Sequence, residues 1–168
     1  MPISTAWRFS EAARKQGKPV AVFLSVHMEQ YTEVSNRIMD IVRTYGSAVQ
    51  EASVDEAYID LSNTESLEHA RNICIKIKNE IRKREQLTSS IGLGPNKMIA
   101  KIASRLQKPD GLTVVRPDEV EKFLDALAIR AIPGVGPKTE EVLAKLQVKT
   151  VGDAKELSRE KLQELFGK

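Results

Sequence analysis

The sequence predicts an α+β fold followed by a small all-helical segment, and three observations carry that reading. Residues 1–115 alternate short apolar runs of strand length with longer stretches of helical periodicity. Two β-prone runs at the centre of this region meet at Asp55-Glu56, as a hairpin would. After about residue 117 only short helical segments remain, broken by Pro133-Gly134-Val135-Gly136-Pro137. The expectation is an antiparallel or mixed sheet with helices packed on one face, and a boundary within 116–130 that divides the chain into residues 1–116 and 117–168.

Each element has its own signal. Residues 5–16 read as a short helix opened by Ser4 or Thr5, and AVFLSV at 21–26 reads as a strand. From Met28 to about Tyr45, Val34, Ile38, Ile41 and Val42 recur at helical spacing, and Gly46 is a stop signal. Runs at 48–54 and 57–62 form the hairpin candidate, without the Asn-Gly of the tightest turns. A helix over about 65–84 aligns Leu67, Ala70, Ile73, Cys74, Ile77 and Ile81 on one side. A strand at 88–94 ends in glycine. A helix at about 95–107, a turn at Pro109-Asp110-Gly111 and a strand at 112–115 complete the region. In the helix at 95–107, Met98, Ile99, Ile102 and Leu106 form the sector expected to dock on the sheet.

Composition bounds the function. The chain has 168 residues, 41% hydrophobic and 29% charged, as in a globular domain with an appendage. No apolar run approaches the roughly 20 residues that cross a bilayer, and the N-terminus lacks a signal-peptide core. No membrane role and a cytoplasmic location are therefore expected. The formal charge of +3 permits nucleic-acid binding without arguing for it. One cysteine, Cys74, excludes an internal disulfide, and its neighbours at helical spacing make it a packing residue. His27 and His69 have no metal-ligand spacing and read as surface or packing residues. Trp7, Tyr31, Tyr45 and Phe123 read as core or helix-face residues.

Ala52-Ser53-Val54-Asp55-Glu56-Ala57-Tyr58-Ile59-Asp60 is the most informative stretch. Side chains alternate faces along a strand, so adjacent acids converge only where the backbone turns. Hard carboxylate oxygens at such a turn suit magnesium, which takes few carboxylates together with substrate phosphates. Taken alone, Asp-Glu in a turn is equally the composition of a solvated surface.

The basic residues of the helix at 95–107 and its end, Lys97, Lys101, Arg105 and Lys108, are spaced by four, four and three. They share one sector of a helix and could face phosphates, or form an ordinary solvated face. In Ile132-Pro133-Gly134-Val135-Gly136-Pro137-Lys138, glycines permit close backbone approach to an anion. Pro137 suits the first position of the following helix, and Lys138 adds charge.

SVDEAYIDLS resembles the catalytic hairpin of the Y-family lesion-bypass DNA polymerases (the DinB, or DNA polymerase IV, branch), whose signature reads S-[IV]-D-E-A-Y. GLGPNKMIAKIASRLQKPDGLTVV resembles the family segment that follows, and PGVGPK resembles its helix-hairpin-helix. The resemblance covers essentially the whole chain. It implies a palm over 1–116, with a remnant of fingers at 1–20, and a partial thumb over 117–168. It implies DNA-directed DNA synthesis across damaged templates by two-metal nucleotidyl transfer, with two Mg2+ ions per site, primer–template DNA and deoxynucleoside triphosphates. Asp55 would bind both metals, and Glu56 the one that activates the primer hydroxyl. Lys108 would contact the incoming triphosphate and Lys101 the nucleotide side of the cleft. Lys97, Arg105, Gly134, Gly136 and Lys138 would meet DNA. Asp110 reads as a turn-former, not a ligand, and Tyr58 as packing beneath the nucleotide.

The family chain is longer at both ends. It begins with a strand that carries a further metal-binding Asp and a bulky residue that excludes ribonucleotides. It closes with more thumb, an extra DNA-binding domain and a tail for the sliding clamp. Glu11, Glu29, Glu33, Asp40 and Glu51 lack the strand context of that further Asp. The expectation is weak or absent polymerase activity, and an unpaired sheet edge that invites a dimer. The competing readings are a non-catalytic DNA-binding or partner-binding remnant and, at greater distance, a nucleotide cyclase.

Overall fold

The computed structural model describes residues 1–167. It divides into two compact units, Met1–Glu33 and Val34–Lys168.

In the first unit, α1 (Ile3–Lys15) begins after Pro2, whose extended backbone forms the cap without a side-chain bond. Ser4 and Thr5 therefore lie inside the first turn and do not cap it, a correction to the sequence reading. Pro2 already fixes the entry by its restricted φ. The expected strand at 21–26 is also absent: the residues are exposed and belong to no strand. An apolar β-prone run becomes a strand only when a neighbour accepts its N–H groups, and no described segment pairs with it. Its anchors to α1 are local. Ala21 N donates to Ser10 Oγ at 3.0 Å, and the Trp7 and Phe23 rings meet at 5.4 Å between centroids. Trp7 and Tyr31 lie on exposed helix faces.

Helix α2 (Met28–Arg43) leads into the second unit. The hairpin follows as β1 (Ala48–Ser53) and β2 (Glu56–Asp60), antiparallel, with an irregularity between Glu51 and Ser53. Next come α3 (Leu67–Glu85), β3 (Ile91–Leu93), α4 (Lys97–Leu106) and β4 (Leu112–Val114). Ser66 caps α3 and Asn96 caps α4, each accepting from the amide three residues on. The sheet is realised as two pairs, antiparallel β1–β2 and parallel β3–β4, with α4 as the crossover in the second.

Two hydrophobic clusters hold these elements. Ile41, Ile77 and Ile81 join α2 to α3, with Tyr45, Ile59 and Ile91 packed against them. Ile99, Ala103 and Val115 form the second, which receives Val120 and Phe123. Met98 and Leu106 are about half exposed, so α4 docks through Ile99, Ile102 and Ala103 instead of the wider sector expected. Ala103 takes a contact position that a larger side chain would fill differently, which apolar spacing alone does not reveal.

The remaining helices are short: α5 (Val120–Asp125), α6 (Pro137–Lys145), α7 (Val151–Ala154) and α8 (Arg159–Phe166). Ile129, Leu143 and Val148 form their own small core. No helix among the described residues is long and apolar enough to cross a membrane.

Candidate functional site

The hairpin turn carries the two candidate acids. Asp55 stands in the turn itself, exposed, its carboxylate accepting from Ser53 Oγ at 2.7 Å. Glu56 opens β2 opposite Ser53. Glu56, Tyr58 and Asp60 alternate in β2 and so share one face.

Helix α4 reaches that face with two lysines one turn apart. Lys101 Nζ lies 2.6 Å from Glu56 Oε2. Lys97 donates to Gln50 Oε1 and stands 5.8 Å from the centre of the Tyr58 ring. Gln50 and Tyr58 are cross-strand partners, so Lys97 bridges both strands of the hairpin. At the far end of β2, Asp60 accepts from the hydroxyl and amide of Ser62. These two bonds, and then the charge of Lys97, hold its carboxyl below the usual aspartate value.

The basic row is thus divided. Lys97 and Lys101 point to the hairpin, while Arg105 and Lys108 are exposed and make no ion pair among the described residues. Lys108 stands at a turn that is pinned from below. Asp110, in left-handed backbone with φ of 65°, accepts from Lys78 at 2.6 Å and from Arg82 at 2.8 Å. The Lys78 bond first, and then the charges of Lys78 and Arg82, lower its carboxyl. Sequence reasoning saw Asp110 as a turn residue but missed its two cations, which lie about 30 positions upstream and share no motif with it.

The glycine turn lies apart from these acids in sequence. Gly134 has φ of 97°, a conformation that favours glycine, whereas Gly136 is extended and caps α6. A β-carbon at either would meet nothing within 4 Å, so both face open space. The first bonded amide of α6 is Glu140 N, to Gly136 O at 2.9 Å; the amides before it are available to an acceptor. Lys138 is exposed beside them.

Whether the acids suit a divalent ion turns on their chemistry. Both supply hard oxygens, neither is buried, and Glu56 already holds an ammonium group at ion-pair distance. Magnesium bound through one or two carboxylates, with water and phosphate completing its shell, fits this donor set. No group of three or more His, Cys, Asp or Glu among the described residues converges to hold a metal by itself.

Comparison with known proteins finds relatives that match the chain over its whole length. The sequence pattern of the impB/mucB/samB family matches residues 1–105, and that of the IMS family HHH motif matches residues 117–148. DNA polymerase IV 2 of Methanosarcina mazei is 45% identical over 100% of this chain and 44% of its own length. DNA polymerase IV of Sulfurisphaera tokodaii is 42% identical over 99% of this chain and 46% of its own. Among solved structures, an insertion ternary complex of Dbh DNA polymerase superposes with a TM-score of 0.85 at 34% identity. It covers 100% of this chain and 47% of that one. DinB from Sulfolobus solfataricus gives 0.83 at 33% identity, covering 93% and 50%. The chain spans a little under half the length of the curated relatives it matches.

Proposed function

The chain belongs to the impB/mucB/samB family, the DinB-type Y-family DNA polymerases, and from that premise we propose that it carries the catalytic hairpin and a DNA-gripping module for translesion synthesis. The reaction is nucleotidyl transfer onto a primer 3′ hydroxyl, with primer–template DNA and deoxynucleoside triphosphates as substrates. A protein acting on DNA works in the compartment that holds it, here the cytoplasm. Residues 1–116 serve as palm, with part of the fingers at 1–20, and residues 117–168 as part of the thumb.

The observation that carries this reading is the placement of Asp55 and Glu56 side by side at the hairpin turn, with Lys101 of α4 paired to Glu56. Asp55 and Glu56 would hold magnesium, which when bound offsets triphosphate charge and favours the deprotonated primer hydroxyl. Lys108, without an ion pair among the described residues and set on a pinned turn, offers an ammonium group to the triphosphate. Arg105 and Lys138, with Gly134, Gly136 and the open amides of α6, meet backbone phosphates without reading bases.

Among the described residues no third acid converges on Asp55 and Glu56, and two carboxylates alone bind paired metals weakly, so slow turnover is the expected outcome. Magnesium-dependent primer extension tests the reading. Any extension present should fall at least a hundredfold in Asp55→Asn and Glu56→Gln, while DNA binding stays within about twofold. Extension indifferent to both substitutions would remove the hairpin from the chemistry. DNA binding that is itself lost on adding chelator would favour a metal-dependent binding module instead. A second copy of the chain is also a proposed partner, through the edge of β1 that β2 leaves open.

A further inference from the structure

We propose that Lys101 is the resident counter-cation of the Glu56 carboxylate: it occupies Glu56 in the free protein and must leave when a divalent ion binds the hairpin. The proposal rests on the metal-binding reading of Asp55 and Glu56, and it adds a competition that this reading does not contain.

The contact is specific. Lys101 and Glu56 are 45 positions apart, and Nζ stands 2.6 Å from Oε2 with the lysine side chain only 24% exposed. Lys101 is the single hydrogen-bonding partner of the Glu56 side chain among the described residues. Asp55, one position earlier, has no cation among the described residues, and its carboxylate accepts there only from Ser53. The two acids of the turn are therefore unequal: one is open to an incoming ion and the other is taken.

The backbone of Lys101 cannot withdraw to make room. Its neighbours Ile102 and Ala103 are buried, and Gly92 lies so close beneath Ala100 and Ser104 that α4 is fixed against β3. Only the side chain can swing. Lys97, one turn earlier, is already engaged with Gln50 and Tyr58 and cannot take over the role.

Electrostatics sets the size of the effect. An incoming divalent ion must break the Lys101–Glu56 pair at 2.6 Å, which even at the dielectric of water costs it roughly tenfold in affinity. Removing the ammonium charge should recover most of that. A lysine that merely props up the fold would do the reverse, because its removal would loosen the site and weaken binding.

The test is a Mn2+ titration of the whole chain, read as paramagnetic broadening of backbone amides by NMR. Wild type, Lys101→Gln, Lys101→Arg and Glu56→Gln are compared. In Lys101→Gln the Asp55–Ala57 amides should broaden at roughly tenfold lower Mn2+ than in wild type. Lys101→Arg, which keeps the charge, should titrate like wild type. Equal or weaker binding in Lys101→Gln, with the hairpin still broadening in wild type, overturns the proposal and leaves the metal-binding reading intact. Absence of hairpin broadening in every variant, or broadening unchanged in Glu56→Gln, overturns both.

The same spectra report whether Lys101→Gln is folded. Should it not be, acylation of the wild-type lysines followed by mass spectrometry decides. Lys101 should become several-fold more reactive when Mn2+ is added, while Lys97 stays constant. An unchanged Lys101 rate overturns the proposal.

Discussion

Asp110 shows how much a single residue owes to partners that no motif names. Its place before Gly111 marks a turn, and the turn is there, with Asp110 at positive φ. What holds it is Lys78 and Arg82 of α3, and that pairing depends on how α3 lies against the end of α4. The same holds for Lys101 and Glu56: their types were legible as basic row and acid pair, their contact was not. The Asp110 pairing predicts a pH dependence whose sign follows from its lowered carboxyl. A carboxylate favoured in the folded state contributes stability above its unfolded value, about 3.9, and loses it as pH falls through the lower folded value. Asp110→Asn should therefore lower the urea midpoint more at pH 7 than at pH 2.5, the loss shrinking as pH falls through the lowered folded value. Equal losses at both pH values would mean that packing, not charge, is what the substitution removes. Cys74 supplies a second prediction at this scale. Its position among helical apolar neighbours indicated a packing role, and burial pushes the thiol up to about 11. At pH 8 a thiol reagent should react with it far more slowly in the native protein than in denaturant. Comparable rates would contradict its burial.

At the scale of elements, legibility follows the range of the interaction that makes each one. Helix α3 is readable because Ala70, Cys74, Ile77 and Ile81 fall on one face within a single segment; the Ser66 cap is what the structure adds. The hairpin was readable because two acids interrupt two β-prone runs. Residues 21–26 were misread because a strand is a property of a pair, and hydropathy describes only one member. The strands β3 and β4 are legible in the sequence, but their parallel pairing is not, because it needs the crossover through α4. Gly92 is what lets that crossover close. A β-carbon there would collide with the Ala100 carbonyl oxygen and stand 2.5 Å from Ser104 N, both backbone atoms that cannot step aside. Gly92→Ala should destabilise the chain by about 2–3 kcal/mol in urea denaturation, the upper range for overpacking. Asn96→Ala, which removes only the cap of α4, should cost about 1 kcal/mol. If the glycine variant cost no more than the cap variant, the β3–α4 contact would be looser than these distances require.

For the whole molecule, the question is how much of its positive charge remains to meet DNA. The sequence offered a row of four cations on α4 and its end, and a fifth beside the glycine turn. Folding commits Lys97 and Lys101 to the hairpin, leaving Arg105, Lys108 and Lys138 exposed and without ion pairs among the described residues. The net charge of +3 is too small to attract DNA without such local concentration. Binding to duplex DNA releases about 0.9 counterion for each phosphate neutralised. Three available side chains then predict a slope of log affinity against log salt of about −2.7, and five would predict about −4.5. Arg105→Gln and Lys138→Gln should each make the slope shallower by about one, whereas Lys97→Gln should leave it unchanged. Fluorescence anisotropy over a salt series measures all of these on one oligonucleotide. A slope near −4.5 that Lys97→Gln makes shallower would show that the hairpin releases its lysines to DNA. The ion pair at Glu56 would then be opened by the nucleic acid as well as by metal.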